Sequence, residues 1–144
     1  MAPVYSILDI EQRINRHCHY LRIPKALLPV DTQLYLTADP SRCLLLFGDE
    51  IWDLLRDKLM SLSQTIPGSD PLKRLLIGNA REVFMNTKHR LELPVELAEF
   101  ARLEMTAYWV QTRNNIVELW NPDLFNEAKD GSWLDKQLTK KATG

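Results

Sequence analysis

Two stretches of this 144-residue chain occur twice, in the same order. Leu21-Arg22-Ile23-Pro24-Lys25-Ala26-Leu27 resembles Leu91-Glu92-Leu93-Pro94-Val95-Glu96-Leu97 at an offset of 70. Cys43-Leu44-Leu45-Leu46-Phe47, followed by Gly48-Asp49-Glu50-Ile51-Trp52, resembles Ile116-Val117-Glu118-Leu119-Trp120, followed by Asn121-Pro122-Asp123-Leu124-Phe125, at an offset of 73. Each half then reads as a short strand, a proline, a short helix, two strands in a hairpin and a helix. Two halves are too few for a solenoid. They fit a pseudo-twofold domain in which neither half closes its own core. The length suits one domain, or two small repeats sharing a core.

Periodicity gives the expected elements. A strand is expected over residues 4–8 and a short one over 21–23, stopped by Pro24. Strands over 34–37 and 43–47 are joined by the turn Asp39-Pro40-Ser41. Asp49 caps a helix running to about residue 63, with Ile51, Leu55, Leu59 and Leu62 at helical spacing. Thr65-Ile66-Pro67-Gly68-Ser69 is the strongest break. Asp70 and Pro71 open a second helix carrying Leu72, Leu75 and Leu76, ended by Gly78 or Asn79. Strands follow over 82–85 and 91–93, separated by a polar loop from Asn86 to Arg90. Pro94 opens a helix with Leu97, Phe100 and Ala101 on one face. A hairpin over 107–110 and 116–120 turns at Arg113-Asn114-Asn115, where positive φ is tolerated. A last short helix spans 122–128. The tail from 129 to 144 is polar, with Trp133 and Leu138 able to dock.

Composition narrows the function classes. Hydrophobic residues make up 45% and charged residues 26%, a globular balance that excludes disorder throughout. The longest apolar run is far too short to span a bilayer, and the first five residues lack the pattern of a secretory signal. Cys18 and Cys43 form no disulfide framework and read as reduced cytosolic thiols. The net charge of −1 argues against a generally cationic nucleic-acid binder. Positive charge is nevertheless concentrated: Arg13, Arg16, Arg22 and Lys25 share a window with no acid, together with His17 and His19. The third histidine lies in Asn86-Thr87-Lys88-His89-Arg90. An anionic partner would be met by such local patches.

Catalytic signals are missing. Ser61 and Ser63 have no nearby His and no Gly-x-Ser-x-Gly context. The five glycines are scattered and form no phosphate loop. Asp49, Glu50, Asp53 and Asp57 make a solvated helix face. His17-Cys18-His19 with Cys43 lacks metal-ligand spacing, so no metal and no other cofactor is expected. Trp52, Trp109, Trp120 and Phe125 read as core residues.

On the residues Arg74-Leu75-Leu76-Ile77-Gly78-Asn79-Ala80, Asn86 to Pro94 and Ile116 to Trp120, the chain resembles the bacterial MraZ proteins of the SpoVT–AbrB superfamily. The resemblance covers about residues 20–129 and is most specific from Arg74 to Pro94. It implies an α+β fold, mainly β: two pseudo-symmetric AbrB-like repeats forming a small double-split β-barrel. The first repeat would occupy 1–64 with its long helix, a linker and helix 65–80, the second repeat 81–129, and the polar tail 130–144. It further implies homo-oligomeric rings, no catalysis, and repression at direct repeats upstream of division and cell-wall genes, in the cytoplasm and at the nucleoid. The family's Asp-x-x-x-Arg loop is altered here. Its second copy reads Asn86 to Arg90, and its first, counted back from Pro24, has Arg16 and Tyr20 at the two positions. Asp9 to Arg13 has the spacing but lies too far from Leu21 to align.

The expected partner is double-stranded DNA. Arg90 can address a guanine edge or a phosphate bidentately, Lys88 adds a point charge, and His89 a donor. Asn86 can accept a hydrogen bond from Arg90 but not pair its charge. Arg16, His17 and His19 form the first cationic loop. The alternative is an assembly or protein-interaction module on the same scaffold that has lost DNA reading.

Overall fold

A computed structural model of the chain describes residues 4–7, 10–12, 18–22, 33–62, 69–84, 90–103, 107–112, 114–128 and 131–143. The elements run β1 (Val4–Ile7), β2 (Ile10–Gln12), β3 (Cys18–Arg22), β4 (Leu34–Ala38), β5 (Leu44–Phe47), α1 (Asp49–Leu62), α2 (Ser69–Leu76), β6 (Arg81–Val83), β7 (Arg90–Pro94), α3 (Val95–Phe100), β8 (Ala107–Gln111), β9 (Val117–Trp120), α4 (Pro122–Ala128) and α5 (Trp133–Thr143). The fold is α+β, and every strand pairing described is antiparallel. One sheet has the order β1-β8-β9-β5-β4-β6 and the other β2-β3-β7.

The six-stranded sheet is the middle layer, which explains why β5 and β9 are buried on both faces. Successive strand residues face opposite sides. Leu44 and Leu46 thus join Leu34, Leu36, Val117 and Leu119 in one core, completed by Leu91 and Leu93 of β7 and Leu97 and Ala98 of α3. Cys43, Leu45, Phe47 and Trp120 face the second core, closed by Ile51, Leu55 and Leu59 of α1, Leu76 of α2 and Leu134 of α5. Thr37, fully buried between apolar neighbours, donates its hydroxyl to the Leu76 carbonyl, one of the acceptors left open at the end of α2.

The two hairpins share their local geometry position by position at a spacing of 73. Asp39 N donates to Cys43 O at 3.0 Å, and Thr112 N to Ile116 O at 2.9 Å. Ser41 N donates to Asp39 Oδ2 at 2.9 Å, and Asn114 N to Thr112 Oγ1 at 3.2 Å. The left-handed residue is Arg42 (φ 73) in one turn and Asn115 (φ 61) in the other. Tyr35 stacks on Trp52 with centroids 5.1 Å apart, and Tyr108 meets Phe125 edge-on at 5.6 Å. Phe47 contacts the same Trp52, and Trp120 the same Phe125.

Several expectations change. Residues 18–20, read as loop, are strand, because β2 and β7 pair with β3 on both sides and satisfy its backbone. β2 itself was not expected. Arg90 opens β7 instead of closing a loop. Asp49 and Pro71 lie inside their helices rather than at the cap and first position, with Trp52 N bonding back to Gly48 O. The helix expected after Pro24 lies outside the described residues.

The tail is the largest change: it forms α5, whose first turn is held by two buried carboxylates. Asp39, fully buried, accepts from Trp133 N at 2.9 Å and from Leu134 N at 3.1 Å. Glu118, 1% exposed, accepts from Ser132 N at 3.0 Å and Trp120 Nε1 at 2.8 Å. Ser132 Oγ takes Asp135 N at 3.1 Å. Asn114 of the second turn reaches Asp135 Oδ1 at 2.7 Å, so both hairpin turns grip this helix. Burial pushes the pKa of Asp39 and of Glu118 up, against the N–H donors that pull it down. The same burial, with those two acids nearby, raises the Cys43 thiol well above its ordinary range, leaving it unreactive.

A raised carboxylate gives stability that is complete below the unfolded value, about 4.3 for Glu, and lost as pH rises through the folded value. Glu118→Gln keeps the uncharged form at every pH. Its denaturation midpoint should gain on the native chain as pH rises from about 4 toward neutral, and the difference should be flat below. A difference that stays constant across the range would contradict the assignment.

Candidate nucleic-acid interface

The cationic segments found in the sequence attach to the β3–β7 ladder. Its register pairs Cys18 with Pro94, His19 with Leu93, Tyr20 with Glu92, Leu21 with Leu91 and Arg22 with Arg90. Leu91 and Leu93 are fully buried in the first core. Period-two alternation therefore turns Glu92 to the outer face, and the register sets Arg22 opposite Arg90 at the end of the ladder. Glu92 is exposed, as that face requires.

The ladder separates the two loops. Because the strands are antiparallel, residues 13–17 enter β3 at the Cys18 end, and residues 85–89 enter β7 at the Arg90 end. Five strand residues span roughly 15 Å, so the two segments join the ladder at opposite ends. Their settings differ as well. The first joins β2 to β3 within one sheet, while the second crosses from β6 in the larger sheet to β7 in the smaller. Ten residues separate β1 from β3 and six separate β6 from β7; β2 occupies the longer connection.

Of the sequence-derived contact residues, Arg90 is the first residue of β7 and pairs with Arg22, and His19 lies in β3 opposite Leu93. Arg16, His17, Asn86, Lys88 and His89 lie outside the described residues. Phe84, immediately before the second loop, is 66% exposed; it went unnoticed in the sequence, where it reads as part of a strand. Arg22 was noticed only as part of a charge count, and its position beside Arg90 emerges from the register.

Other surfaces suit a polyanion less. Among the described residues, a groove of 620 Å³ is lined by Glu99, Asp123 and Glu127 with Arg102 as the one cation, a balance of charge that repels phosphate. The α1 face carries Asp53, whose charge Arg56 meets at 2.6 Å, and exposed Asp57. Among the described residues, no group of three His, Cys, Asp or Glu side chains could hold a metal ion. None of the described helices is long and apolar enough to cross a membrane.

Comparison with known proteins bears on this geometry. No protein-family model matches the chain. A transcriptional regulator MraZ of Dechloromonas aromatica (strain RCB) is 35% identical over 97 residues, 67% of this chain and 65% of that protein. The protein of the same name from Nitrosospira multiformis is 39% identical over 93 residues, 65% of this chain and 63% of that one. That of Shewanella amazonensis is 39% identical over 90 residues, 62% and 59% respectively. The chain belongs to the MraZ family. The matched segment spans slightly less than two thirds of these MraZ relatives. Within the MraZ pattern given above, this member keeps the arginine of the second loop at Arg90, has Asn86 for its acid, and has Tyr20 where the first loop's arginine would stand.

Proposed function

We propose that this chain is a DNA-binding transcription regulator that reads short direct repeats through cationic segments at the two ends of the β3–β7 ladder. The observation that carries the reading is Arg90 as the first residue of β7, paired with Arg22 in the ladder and directly following Lys88 and His89 in sequence. A guanidinium there can bind a guanine edge or a phosphate in a bidentate manner, and nearby cations add affinity that is independent of sequence. The relatives' shared name, transcriptional regulator, supports the same reading. On this reading the protein represses a division and cell-wall gene cluster from the cytoplasm, at the nucleoid, and does no catalysis.

Two pseudo-symmetric repeats closing a small barrel are part of the proposal. The strand order supports them: exchanging β1 with β6, β4 with β8 and β5 with β9 returns the six-stranded order reversed and otherwise unchanged. The matched turns and aromatic trios add to this. A homo-oligomeric ring would multiply the weak contact of one subunit by effective concentration.

Selection of bound sequences from random duplexes tests the function. It should enrich one short motif, with affinity falling steeply as salt rises. Arg90→Ala should weaken binding to that motif by about 10- to 100-fold while fold and oligomer persist. Undiminished binding would remove the role given to the second loop. Tyr20 at the first loop's arginine position and the net charge of −1 favour the other reading, an assembly module. It expects rings or dimers that shift no duplex.

A further inference from the structure

We propose that α5 is a releasable strap, which swings off the second core about Gly131 while both sheets stay folded. Its hold is concentrated in the first turn. The consecutive N–H groups of Ser132, Trp133 and Leu134 donate to Glu118, Asp39 and Asp39 again, at 3.0, 2.9 and 3.1 Å. The two acids come from different places, Asp39 from the turn between β4 and β5 and Glu118 from β9. Further along the helix, Asn114 donates to Asp135 Oδ1 at 2.7 Å and to Thr139 Oγ1 at 3.1 Å, and Lys58 Nζ to Gln137 O at 3.5 Å. Those bonds are part-buried or exposed, so water replaces them at small cost.

The apolar hold is slight. Leu134 is the one fully buried side chain among those described in α5, with Trp133 and Leu138 half-buried. The α1 helix, on the same core, buries Ile51, Leu55 and Leu59. An element with little buried apolar surface opens at lower free energy than the core strands beside it. Opening also returns two carboxylates to water. A charge held in an apolar setting is costly even when it accepts hydrogen bonds, and burial holds the pKa of both acids up. Hydration on release therefore offsets part of the lost N–H bonds. Gly131 supplies the pivot: its φ of 81° is left-handed, where L side chains are strained. The closed strap needs that backbone and the open one does not. A Cβ placed there lies 3.6 Å from both Glu118 carboxylate oxygens, so an alanine finds room and its cost is backbone strain. The β7 strand packs in the first core, across the six-stranded sheet, so release leaves the proposed interface in place.

Amide exchange of the full-length protein, followed residue by residue in urea below the unfolding transition, tests the strap. The Trp133 and Leu134 amides should exchange through an opening that depends little on urea, since it exposes little surface. The amides of β5 and β9 should follow global unfolding, with its full urea slope. Gly131→Ala should speed exchange at Trp133 and Leu134 about fivefold, with the shallow slope kept. Gly131→Asn, whose side chain tolerates left-handed φ, should stay near the native rate. The proposal is overturned if Trp133 and Leu134 in the native chain exchange with the urea slope of β5 and β9, because strap and sheet then leave together. It is equally overturned if Gly131→Ala leaves their rate unaltered, or if Gly131→Asn exchanges as fast as Gly131→Ala.

Discussion

Replacing Asp39 with alanine should cost about 3 kcal/mol of folding stability and release α5 from the sheet. The carboxylate accepts the backbone N–H groups of Ser41, Trp133 and Leu134 in a fully buried setting. Truncation strands the buried Leu134 N–H and the part-buried N–H groups of Ser41 and Trp133, and a fully buried orphan costs about 1–3 kcal/mol. Burying the carboxylate is itself unfavourable, as its raised pKa indicates, so the net loss falls well below the sum of three orphans. The denaturant midpoint gives the size of the loss. Amide exchange identifies the region: α5 amides should lose protection before those of β5 and β9. A midpoint within about 0.5 kcal/mol of the native value, or unaltered α5 protection, would refute the capping role.

Trp120→Ala should be more damaging, at about 4 kcal/mol. The indole is fully buried in the second core, lies edge-on to Phe125 at 5.9 Å, and donates to Glu118. Alanine opens a large cavity and takes a donor away from a buried carboxylate. Trp120→Phe separates the two contributions. It keeps much of the ring volume and loses the N–H, so it should cost about 1–2 kcal/mol. Equal losses for the two variants would mean that the hydrogen bond, and not the packing, dominates at this site.

These sites also mark what the sequence made legible. The hairpins of β4–β5 and β8–β9 could be read because Leu, Phe, Val and Trp alternate or run together between residues that favour turns. The charge concentration around Arg16 and Arg90 was equally plain. The α5 helix was hidden: its segment is rich in Lys, Thr and Asp, and the carboxylates holding its first turn come from residues 14 to 95 positions away. Nothing local announces such a cap. β2 was hidden because three residues, Ile10-Glu11-Gln12, are too few to display a period. His19 was misread as loop because a polar residue on an inner strand gives no apolar signal, and its partner Leu93 lies far along the chain. The arginine pair was invisible for the same reason, since cross-strand register is a property of the assembled ladder.

The centre of the larger sheet has a consequence for synthesis. β5 and β9 lie side by side there, and Leu44 meets Leu119, 75 positions further along the chain. A contact so distant must wait for a slow diffusive search, since closing long loops is entropically opposed before any packing rewards it. A ribosome that has delivered β5 must still produce its neighbour strand, so the apolar stretch from Leu44 to Phe47 waits half-sheltered. Nascent chains are therefore exposed to misassociation through that strand, and quick translation through the second half or shielding of the waiting edge would shorten that exposure.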